Sequence, residues 1–464
     1  MMYKYKLILF YLYFALFKKI ITLSTLKIKF KKSNSTSLPT NDYILSNFNK
    51  DIYISFEIGY PHQNTEKIFL KSDTYEFMIA NKTIDKNNYN HTESKTCKII
   101  SLSKYYQLKY TFKGYVLQDN FYLDNNEKNN ELIEFKNITF IYASKINFDK
   151  YTAVIGLKLD EDGIKKVKPF PEQLNELKYI QKSNWMIKYK SSEDDGYFYI
   201  GEILNNEIFP EYNKEDYRKT NAVISGSYLS WDLLFSQIKH KGINLSGPLQ
   251  VNLDFNFGLF SVSKEYYNSI KKEFFNKYIS KGACEELLYD FNSKEKIEDI
   301  KSSFNYIVCK KNIKINQFPV ISFYHMELDY VFELSYEDVF SNYNGKIYFL
   351  CINEVNKNEK WVFGKPFFKK YNIIFDHSAK TIGLYVKKKN KMNWIVIEWI
   401  IAIILLFVLI MLAFTLIRRY RLNHYKSFEK KIKVDELNDS FYGEYKKEIN
   451  FEDLKEENKI IDDN

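Results

Sequence analysis

One acidic residue, Asp254, lies in a stretch whose pattern could bring it to a reactive position. Residues 249–261 read LQVNLDFNFGLFS, in which apolar and polar residues alternate up to Asp254 and apolar residues then dominate. This pattern predicts a half-buried strand that delivers an acid to the edge of a core. A carboxylate held there can take part in general acid–base chemistry when a second acid lies beside it. The chain must therefore supply a partner acid for this chemistry to work.

The elements that would position Asp254 occur twice along the chain. Residues 53–80 alternate like a strand up to a turn at Gly59 and Pro61, and a second strand follows, which predicts a β-hairpin. Hydrophobic segments that end in glycine come later, YTAVIGL at 151–157 and WVFG at 361–364. We interpret these segments as an internal repeat in which a strand leading to an acid position is followed by a hydrophobic-glycine strand. Two such lobes would face each other across one cleft.

These segments resemble the pepsin-like aspartic proteases over residues 53–386. The run IGYPHQ at 58–63 is similar to the opening hairpin of that family, and Asp254 is similar to the acid of its hydrophobic-Asp-Thr-Gly motif. The closing segment 361–386 carries the most specific match, through Gly364, Phe367, Tyr371, Phe375, Asp376 and Gly383. The resemblance implies a mainly β, bilobed acid-protease fold without a cofactor or metal, in which two aspartates share one proton.

The position of the first acid is the weak point of this resemblance. Counting without a gap from the opening hairpin places Leu70 there, whereas counting back from Phe77 and Met78 places Lys71 there, followed by Ser72. A third alignment places Asp73 there but needs compensating shifts on both sides. If Lys71 takes the place, we expect it to form an ion pair with Asp254.

Further positions depart from the family pattern. Phe255 replaces the threonine that links the two active loops, which predicts that the hydrogen-bonded scaffold on this side is missing. Asn256 replaces a glycine, for which its tolerance of positive φ would suit it. Gln107 stands where the family's flap tyrosine closes over the substrate. We interpret the chain as an inactive homologue that binds an extended peptide or a secreted or membrane protein; the alternative is an active endopeptidase that uses Asp254 with Asp73.

Composition limits the other classes of function. The 464 residues carry a formal charge of +10, but the basic residues are dispersed and form no continuous basic face, so nucleic-acid binding is not expected. Lysine and asparagine are plentiful along the whole chain, which we interpret as the AT-rich coding of a protist. Hydrophobic residues make up 45%, enough for a sizeable core.

Hydrophobic stretches at the two ends predict a type I membrane protein. Residues 1–24 have the layout of a secretory signal, with an uncleaved anchor as the alternative, and residues 394–417 are long and apolar enough to cross a bilayer. Tyr425 begins a Tyr-x-x-hydrophobic sequence typical of sorting signals. These features predict an ectodomain in a secretory organelle or at the cell surface. The predicted segments are a signal at 1–24, a leader or short pro-segment at 25–50, lobes at 51–215 and 216–388, a transmembrane helix at 392–417 and a cytosolic tail at 418–464.

Secretory placement gives meaning to the sequons and cysteines. None of the four cysteines has CxxC spacing, so an oxidising compartment favours disulfides over a metal site. The resemblance implies a second-lobe disulfide between Cys309 and Cys351. Cys97 and Cys284 could bridge the lobes, or both could stay as buried thiols. Glycosylation is predicted at Asn34, Asn81, Asn90, Asn137 and Asn244.

Overall fold

The computed structural model describes most of the chain between the predicted signal and the tail. The described residues are 23–32, 43–48, 51–81, 89–106, 111–125, 131–146, 153–159, 167–190, 195–203, 214–225, 228–241, 243–292, 302–310, 313–355, 361–386 and 394–439. They divide into two compact units, Met1–Lys388 and Lys389–Asn464. Residues 1–22 of the predicted signal at 1–24, together with Asn34 and Gln107, lie outside the described residues.

Ten strands and two helices form the first part of the larger unit, among the residues described. The strand β2 alternates buried and exposed positions as its sequence predicts, whereas β4 and β8 are buried at every position. In chain order the elements are β1 (Thr25–Lys32), α1 (Tyr43–Asn47), β2 (Ile52–Ile58), β3 (Gln63–Lys71), β4 (Phe77–Ala80), β5 (Lys98–Tyr106), β6 (Thr111–Asn125), β7 (Glu131–Ile146), β8 (Ala153–Gly156), α2 (Phe170–Glu176), β9 (Asn184–Tyr189) and β10 (Gly196–Gly201).

Sixteen strands and four helices follow in the described part of the same unit. Ser263 caps the first of these helices, its hydroxyl accepting the amide hydrogen of Tyr266. The elements are β11 (Tyr217–Asn221), β12 (Val223–Ser225), β13 (Tyr228–Ser230), β14 (Asp232–His240), β15 (Ile243–Leu253), β16 (Phe260–Ser261), α3 (Lys264–Ile270), α4 (Asn276–Ile279), β17 (Cys284–Tyr289), β18 (Phe304–Lys310), β19 (Ile321–His325), β20 (Tyr330–Leu334), α5 (Tyr336–Val339), β21 (Phe340–Tyr343), β22 (Lys346–Phe349), β23 (Cys351–Glu354), β24 (Trp361–Phe363), α6 (Lys365–Lys370), β25 (Ile373–Asp376) and β26 (Thr381–Tyr385).

The strands confirm the predicted mainly β, two-lobed architecture. A 13-stranded sheet has the order β11-β26-β25-β9-β10-β1-β2-β3-β8-β4-β7-β6-β5, so strands from the end of the second lobe join those of the first. An 11-stranded sheet, built around β14, β15 and β24, forms the second lobe. At the junction the rings of Trp185 and Phe375 stack with centroids 4.1 Å apart. Buried apolar residues from both lobes therefore form one continuous core.

The segment expected to be a leader contributes to this sheet. The strand β1 pairs with β10 from Thr25↔Gly201 to Phe30↔Gly196, and then with β2 at its far end. Leu26, Ile28 and Phe30 alternate with lysines and are buried. The segment looks polar in the sequence because lysines occupy its outward positions, but their alternation with buried apolar residues is that of an amphipathic strand.

The internal repeat is present as the same four-strand arrangement in both lobes. In the first lobe β3 runs parallel to β8, β8 antiparallel to β4, and β4 parallel to β7. In the second lobe β15 runs parallel to β24, β24 antiparallel to β16, and β16 parallel to β23. The prediction of a repeat is therefore confirmed. Because of the repeat, each position in the loop after β3 has a counterpart in the loop after β15.

The disulfide predicted from the resemblance is wrong. Cys309 is bonded to Cys284, and Cys97 and Cys351 are free thiols. Cys284 and Cys309 face each other directly in the antiparallel pair β17 and β18, which brings their Cα atoms to 3.9 Å. Cys351 lies in β23, whose pairing with β18 is at Phe304 and Asn305. The bridge therefore staples two neighbouring strands of the second lobe, and the predicted pairing of Cys97 with Cys284 is also excluded.

The smaller unit contains one long helix, α7 (Trp394–Asp439). Within it Glu398–Ser427 is long and apolar enough to cross a membrane, and its most apolar stretch of 18 residues has a mean hydropathy of 3.4 and is not buried. The helix begins at the tryptophan where the sequence predicts it and continues past residue 417. Arg418, Arg419 and Arg421 follow the most apolar part on the same helix.

Candidate functional site

The repeat identifies the residue that corresponds to Asp254 in the first lobe. In the second lobe Leu253 faces Phe363, and Asp254 follows beside Gly364. In the first lobe Leu70 faces Ile155, and Lys71 faces Gly156. The two loops therefore align as Lys71-Ser72-Asp73 and Asp254-Phe255-Asn256. Lys71 occupies the place of the first acid, whereas Leu70 is a buried strand residue.

The glycines behind the two loops are held by close backbone contacts. A Cβ atom on Gly156 would lie 2.4 Å from the backbone of Tyr75, and one on Gly364 would lie 2.1 Å from the carbonyl oxygen of Phe257. Both distances are far below van der Waals contact, so any other residue would push the crossing strands apart. The hydrophobic-glycine motif is thus explained by packing in both lobes.

Lys71 forms a buried ion pair with Asp51. The side chains are only 11% and 1% exposed, and the ammonium group donates to Oδ1 of Asp51. Asp51 lies immediately before β2, 20 residues before Lys71, and no pattern in the sequence connects the two residues. The expected ion pair of Lys71 with Asp254 is thus replaced by one within the first lobe. A lysine at this place needs such a counter-charge, because an unpaired buried ammonium is strongly unfavourable.

Asp254 is half-buried and accepts a hydrogen bond from a hydroxyl group of the first lobe. Its Oδ1 accepts hydrogen bonds from Ser72 Oγ at 2.8 Å and from the backbone amide of Asn256 at 2.9 Å. Burial raises the pKa of Asp254, and so does the nearby charge of Asp73. The two hydrogen bonds and the positive charge of Lys71 oppose that rise. Ser72, and not a carboxylate, is therefore the group that contacts Asp254 from the first lobe.

Asp73, the alternative first acid, lies two residues beyond the aligned position. Its side chain is exposed, and it acts on Asp254 through charge, without a hydrogen bond between the two carboxyl groups in the described part of the chain. The loop position that Asp73 occupies corresponds to Asn256 in the second lobe. The structure thus brings Ser72 and Asp254 into contact and leaves Asp73 outside that contact.

Phe255 and Asn256 hold the second loop in ways that the sequence did not predict. Phe255 is fully buried against Trp185, and its carbonyl oxygen accepts a hydrogen bond from Tyr189 Oη at 2.7 Å. Asn256 Nδ2 donates to the carbonyl oxygen of Leu70 at 3.1 Å. Asn256 is not among the residues with positive φ, so its tolerance of that conformation does not explain it. The Phe255 side chain supplies no hydroxyl link, and hydrogen bonds from Ser72 to Asp254 and from Asn256 to Leu70 connect the two loops instead.

The segment before β2 also packs against the second loop. Phe48, which follows α1, contacts Phe257 edge-on at 5.3 Å and stacks on Phe304 at 5.1 Å. Tyr43, at the start of α1, contacts Tyr343 and Tyr348 at 5.1 and 5.4 Å. These aromatic contacts place residues 43–48 on the second lobe beside Asp254. The sequence does not predict this packing, because a single Phe or Tyr in a polar stretch forms no periodic pattern.

The hairpin that would cover the cleft is present as β5 and β6, which pair antiparallel from Lys98↔Gln118 to Tyr106↔Thr111. Gln107, proposed for the position of the flap tyrosine, lies outside the described residues. The described residues contain no group of three or more His, Cys, Asp or Glu side chains arranged to hold a metal ion.

The family model described as eukaryotic aspartyl protease matches residues 68–386, which include both loops and both hydrophobic-glycine strands. The chain belongs to the eukaryotic aspartyl protease family. No curated protein matches the chain. The matched residues include Lys71 and Asp254, which take equivalent places in the repeated four-strand arrangement.

The predicted glycosylation sites lie in different surroundings. Asn137 and Asn244 are exposed, and Asn81 is half-buried at the end of β4. Asn90 caps a short 3-10 turn, His91–Glu93: its side chain accepts from the amide of Thr92 and donates to Glu93. A glycan on Asn90 would have to replace the donated hydrogen bond. Glycosylation at these asparagines stays a prediction.

Proposed function

We propose that this protein is a catalytically inactive member of the aspartyl protease family that binds an extended peptide or protein segment between its lobes. The observation that carries the proposal is the buried Lys71–Asp51 pair at the first acid position. Hydrolysis in this family needs two carboxylates that share one proton, one to activate water and one to protonate the carbonyl oxygen. Lys71 supplies an ammonium group whose charge is already balanced. Asp254 would have to perform both steps alone.

Ser72 does not restore the missing function. Its hydroxyl donates to Asp254 Oδ1, so it stabilises the charged carboxylate and is not poised as an acid for a substrate. The raised pKa of Asp254 comes mainly from burial. A single carboxyl group with a raised pKa can bind a water or a polar group, but it cannot hold the opposite protonation state at the same time.

Features around Asp254 support binding. Among the described residues, the hydrogen bonds to its carboxylate go to Oδ1, which leaves Oδ2 for a hydrogen-bond donor on a ligand. Phe48 and Phe257 provide an apolar wall beside it. The β5–β6 hairpin offers backbone groups with which an extended peptide could pair, as in other cases of strand addition.

The apolar helix supports a membrane-anchored protein of the secretory pathway. We assign the larger unit to the lumenal or extracellular side and residues 418–464 to the cytosol, since basic residues directly follow the apolar stretch. The cytosolic Tyr425 sequence would then be available for sorting. Loss of surface or organelle delivery on Tyr425→Ala, compared with Tyr420→Ala, tests this assignment.

The test of the proposed function separates cleavage from binding in one experiment. The full chain in lipid nanodiscs is incubated with a fluorescently labelled, unfolded protein from pH 3 to pH 7, and both fragments and retained substrate are measured. We expect no fragments at any pH and retention of the intact substrate. Asp254→Ala should weaken retention without changing the fragment pattern.

The same assay tests the alternative of an active endopeptidase. Fragments that disappear in both Asp254→Ala and Asp73→Asn would show that these two acids form the catalytic pair. That result would overturn the proposal. If the substrate is neither cleaved nor retained, the result contradicts the binding function, because the described loops then have no ligand of this class.

A further inference from the structure

A cavity in the second lobe lies apart from the Asp254 loop. It has a volume of about 450 Å³ and is enclosed by β14, the middle of β15, the end of β19 and the residues between β11 and β12. Pro248 lines it, and Asp254 lies six residues further along the chain from Pro248. At the rise of a β-strand this separation is roughly 20 Å. A ligand in this cavity would not contact the Asp254 carboxylate.

The walls of the cavity are mainly apolar. Val223, Leu234, Phe235, Pro248 and Met326 contribute to them. Leu234 and Met326 are 41% and 68% exposed, so the cavity opens to solvent at an apolar mouth. Its volume falls within the range of small-molecule sites, roughly 300–1,000 Å³. This shape and lining fit the apolar body of a small ligand.

One buried polar side chain in the lining, His325, has a hydrogen-bond partner at only one of its two ring nitrogens. His325 is only 2% exposed, and its Nδ1 accepts the backbone amide hydrogen of Leu328 at 3.2 Å. Burial lowers the pKa of His325, so the ring is neutral and carries its one hydrogen on Nε2. No described residue accepts a hydrogen bond from this Nε2. This Nε2 is not among the buried side-chain atoms without a partner, so solvent reaches it, and an acceptor on a ligand in the cavity can take the place of that solvent.

A charged residue at the rim of the cavity limits the charge that a ligand can carry. Glu327 is the one charged residue among those that line the cavity, and its carboxylate accepts a hydrogen bond from the hydroxyl of Thr220. An anionic ligand would be repelled by this carboxylate. A group that donates hydrogen bonds would be attracted to it.

We propose that this cavity is a binding site for a small uncharged molecule with an aromatic or similarly apolar body and an amide-type polar end. The carbonyl oxygen of such a ligand accepts the Nε2 hydrogen of His325, and its N–H group faces Glu327. The apolar body lies against Leu234, Pro248 and Met326. The proposal does not depend on the function assigned to the Asp254 loop.

The experiment uses a methyl group that already lines the cavity. The full chain, labelled with ¹³C at its seven methionine methyl groups, is placed in lipid nanodiscs and titrated with benzamide. Met326→Leu identifies the resonance of Met326. We expect this resonance to shift and saturate, whereas those of the buried Met78 and Met186 in the first lobe stay in place. No saturable shift of the Met326 resonance would overturn the proposal.

Matched probes and variants test the polar part of the site. Benzoate should bind at least tenfold more weakly than benzamide because of Glu327, and toluene should bind at least fivefold more weakly because it leaves His325 unpaired. His325→Leu should weaken benzamide binding at least tenfold, whereas His325→Gln, which keeps a donor and an acceptor, should stay within threefold of wild type. Equal binding of toluene and benzamide would overturn the assignment of a polar end.

Two further measurements keep the result interpretable. If His325→Leu does not fold, Glu327→Gln, at an exposed position, should restore benzoate binding to within threefold of benzamide, and failure to do so contradicts the proposal. Asp254→Asn should leave benzamide binding unchanged. A loss of benzamide binding in that variant would show that the cavity and the Asp254 loop form one site.

Discussion

The loop after β3 and the loop after β15 take equivalent places in the two lobes but differ in how they are held. The first loop has a lysine at the acid position, neutralised by Asp51, and a serine beside it. The second loop keeps the acid and surrounds it with Phe255, Asn256 and Phe257. Both retain the close-packed glycine behind them, Gly156 and Gly364. The backbone crossing therefore does not require the pair of acids, because packing and cross-lobe hydrogen bonds are sufficient to maintain it.

The largest expected difference between the two loops comes from removing one charge of the buried ion pair in the first loop. Lys71→Met leaves Asp51 buried without its counter-charge, and we expect the free energy of unfolding to fall by about 3–5 kcal/mol. The double variant Lys71→Met with Asp51→Leu should recover most of this loss, since it removes both charges. Denaturant unfolding of the ectodomain unit measures both. As a control, Lys182→Met breaks an exposed pair with Glu202 and should change stability by less than about 1 kcal/mol.

Acid pH should act on the second lobe through its buried histidines. Burial lowers the pKa of His240 to about 4 and that of His377 to about 3, from an ordinary value of 6.5. Because the unfolded chain binds these protons and the folded chain does not, stability should decrease as the pH falls from 6.5 to 4. The loss is on the order of 3 kcal/mol for each histidine.

The variant His240→Phe, whose ring would remain beside Phe318, tests this acid effect. Unfolding measured at several values from pH 4 to pH 7 should show a shallower decline than wild type. A profile that is equally steep in both proteins would show that His240 does not contribute. The difference in slope between the two proteins measures the contribution of His240.

The aligned pair Asn256 and Asp73 offers a smaller test. Asn256→Ala removes the hydrogen bond to the carbonyl oxygen of Leu70, which is buried, and should decrease stability by about 1–2 kcal/mol. Asp73→Ala, at the corresponding position of the first loop, removes an exposed side chain and should change stability by less than about 0.5 kcal/mol. Thermal unfolding at pH 7 distinguishes the two. Equal effects would contradict the different roles assigned to these positions.

The smallest expected effect is a gain in stability from Asp254→Asn. Because the pKa of Asp254 is raised in the folded protein, the charged form is disfavoured there, and stability decreases as the pH rises through that pKa. A neutral amide should therefore raise the melting temperature at pH 7 by roughly 1–3 °C. The gain should disappear at acid pH, where Asp254 is itself protonated. A gain that persists at acid pH would have another cause.

The sequence predicted the repeated strands and the acid of the second lobe, because alternation and the hydrophobic-glycine motif depend on local packing. It could not choose between Leu70 and Lys71. The pairing of β2 with β3 contains a bulge, in which residues 66 and 67 of β3 lie opposite the single residue Ser55 of β2. This extra residue in β3 moves the count from Leu70 to Lys71. A count without gaps cannot detect such an extra residue.

Other features depend on contacts between distant parts of the chain. Asp51 lies 20 residues before Lys71, and no periodic pattern connects them. The disulfide was mispredicted because Cys284 and Cys309 are brought together by strand register, which the positions of the cysteines in the sequence do not reveal. The aromatic contacts of Phe48 were missed for the same reason. These features follow from tertiary pairing, whereas the predicted ones follow from local composition.

The position of β1 in the middle of the large sheet has a consequence for the order in which the chain can fold during synthesis. Its pairing with β10 joins Thr25 to Gly201, so this strand leaves the ribosome long before its partner is made. Residues 25–32 must therefore remain unpaired on that side while more than a hundred further residues emerge, exposing an apolar strand edge. Such distant pairing is typically slow to form. We therefore expect chaperones that bind exposed segments of alternating lysine and apolar residues to act on residues 25–32 of the nascent first lobe.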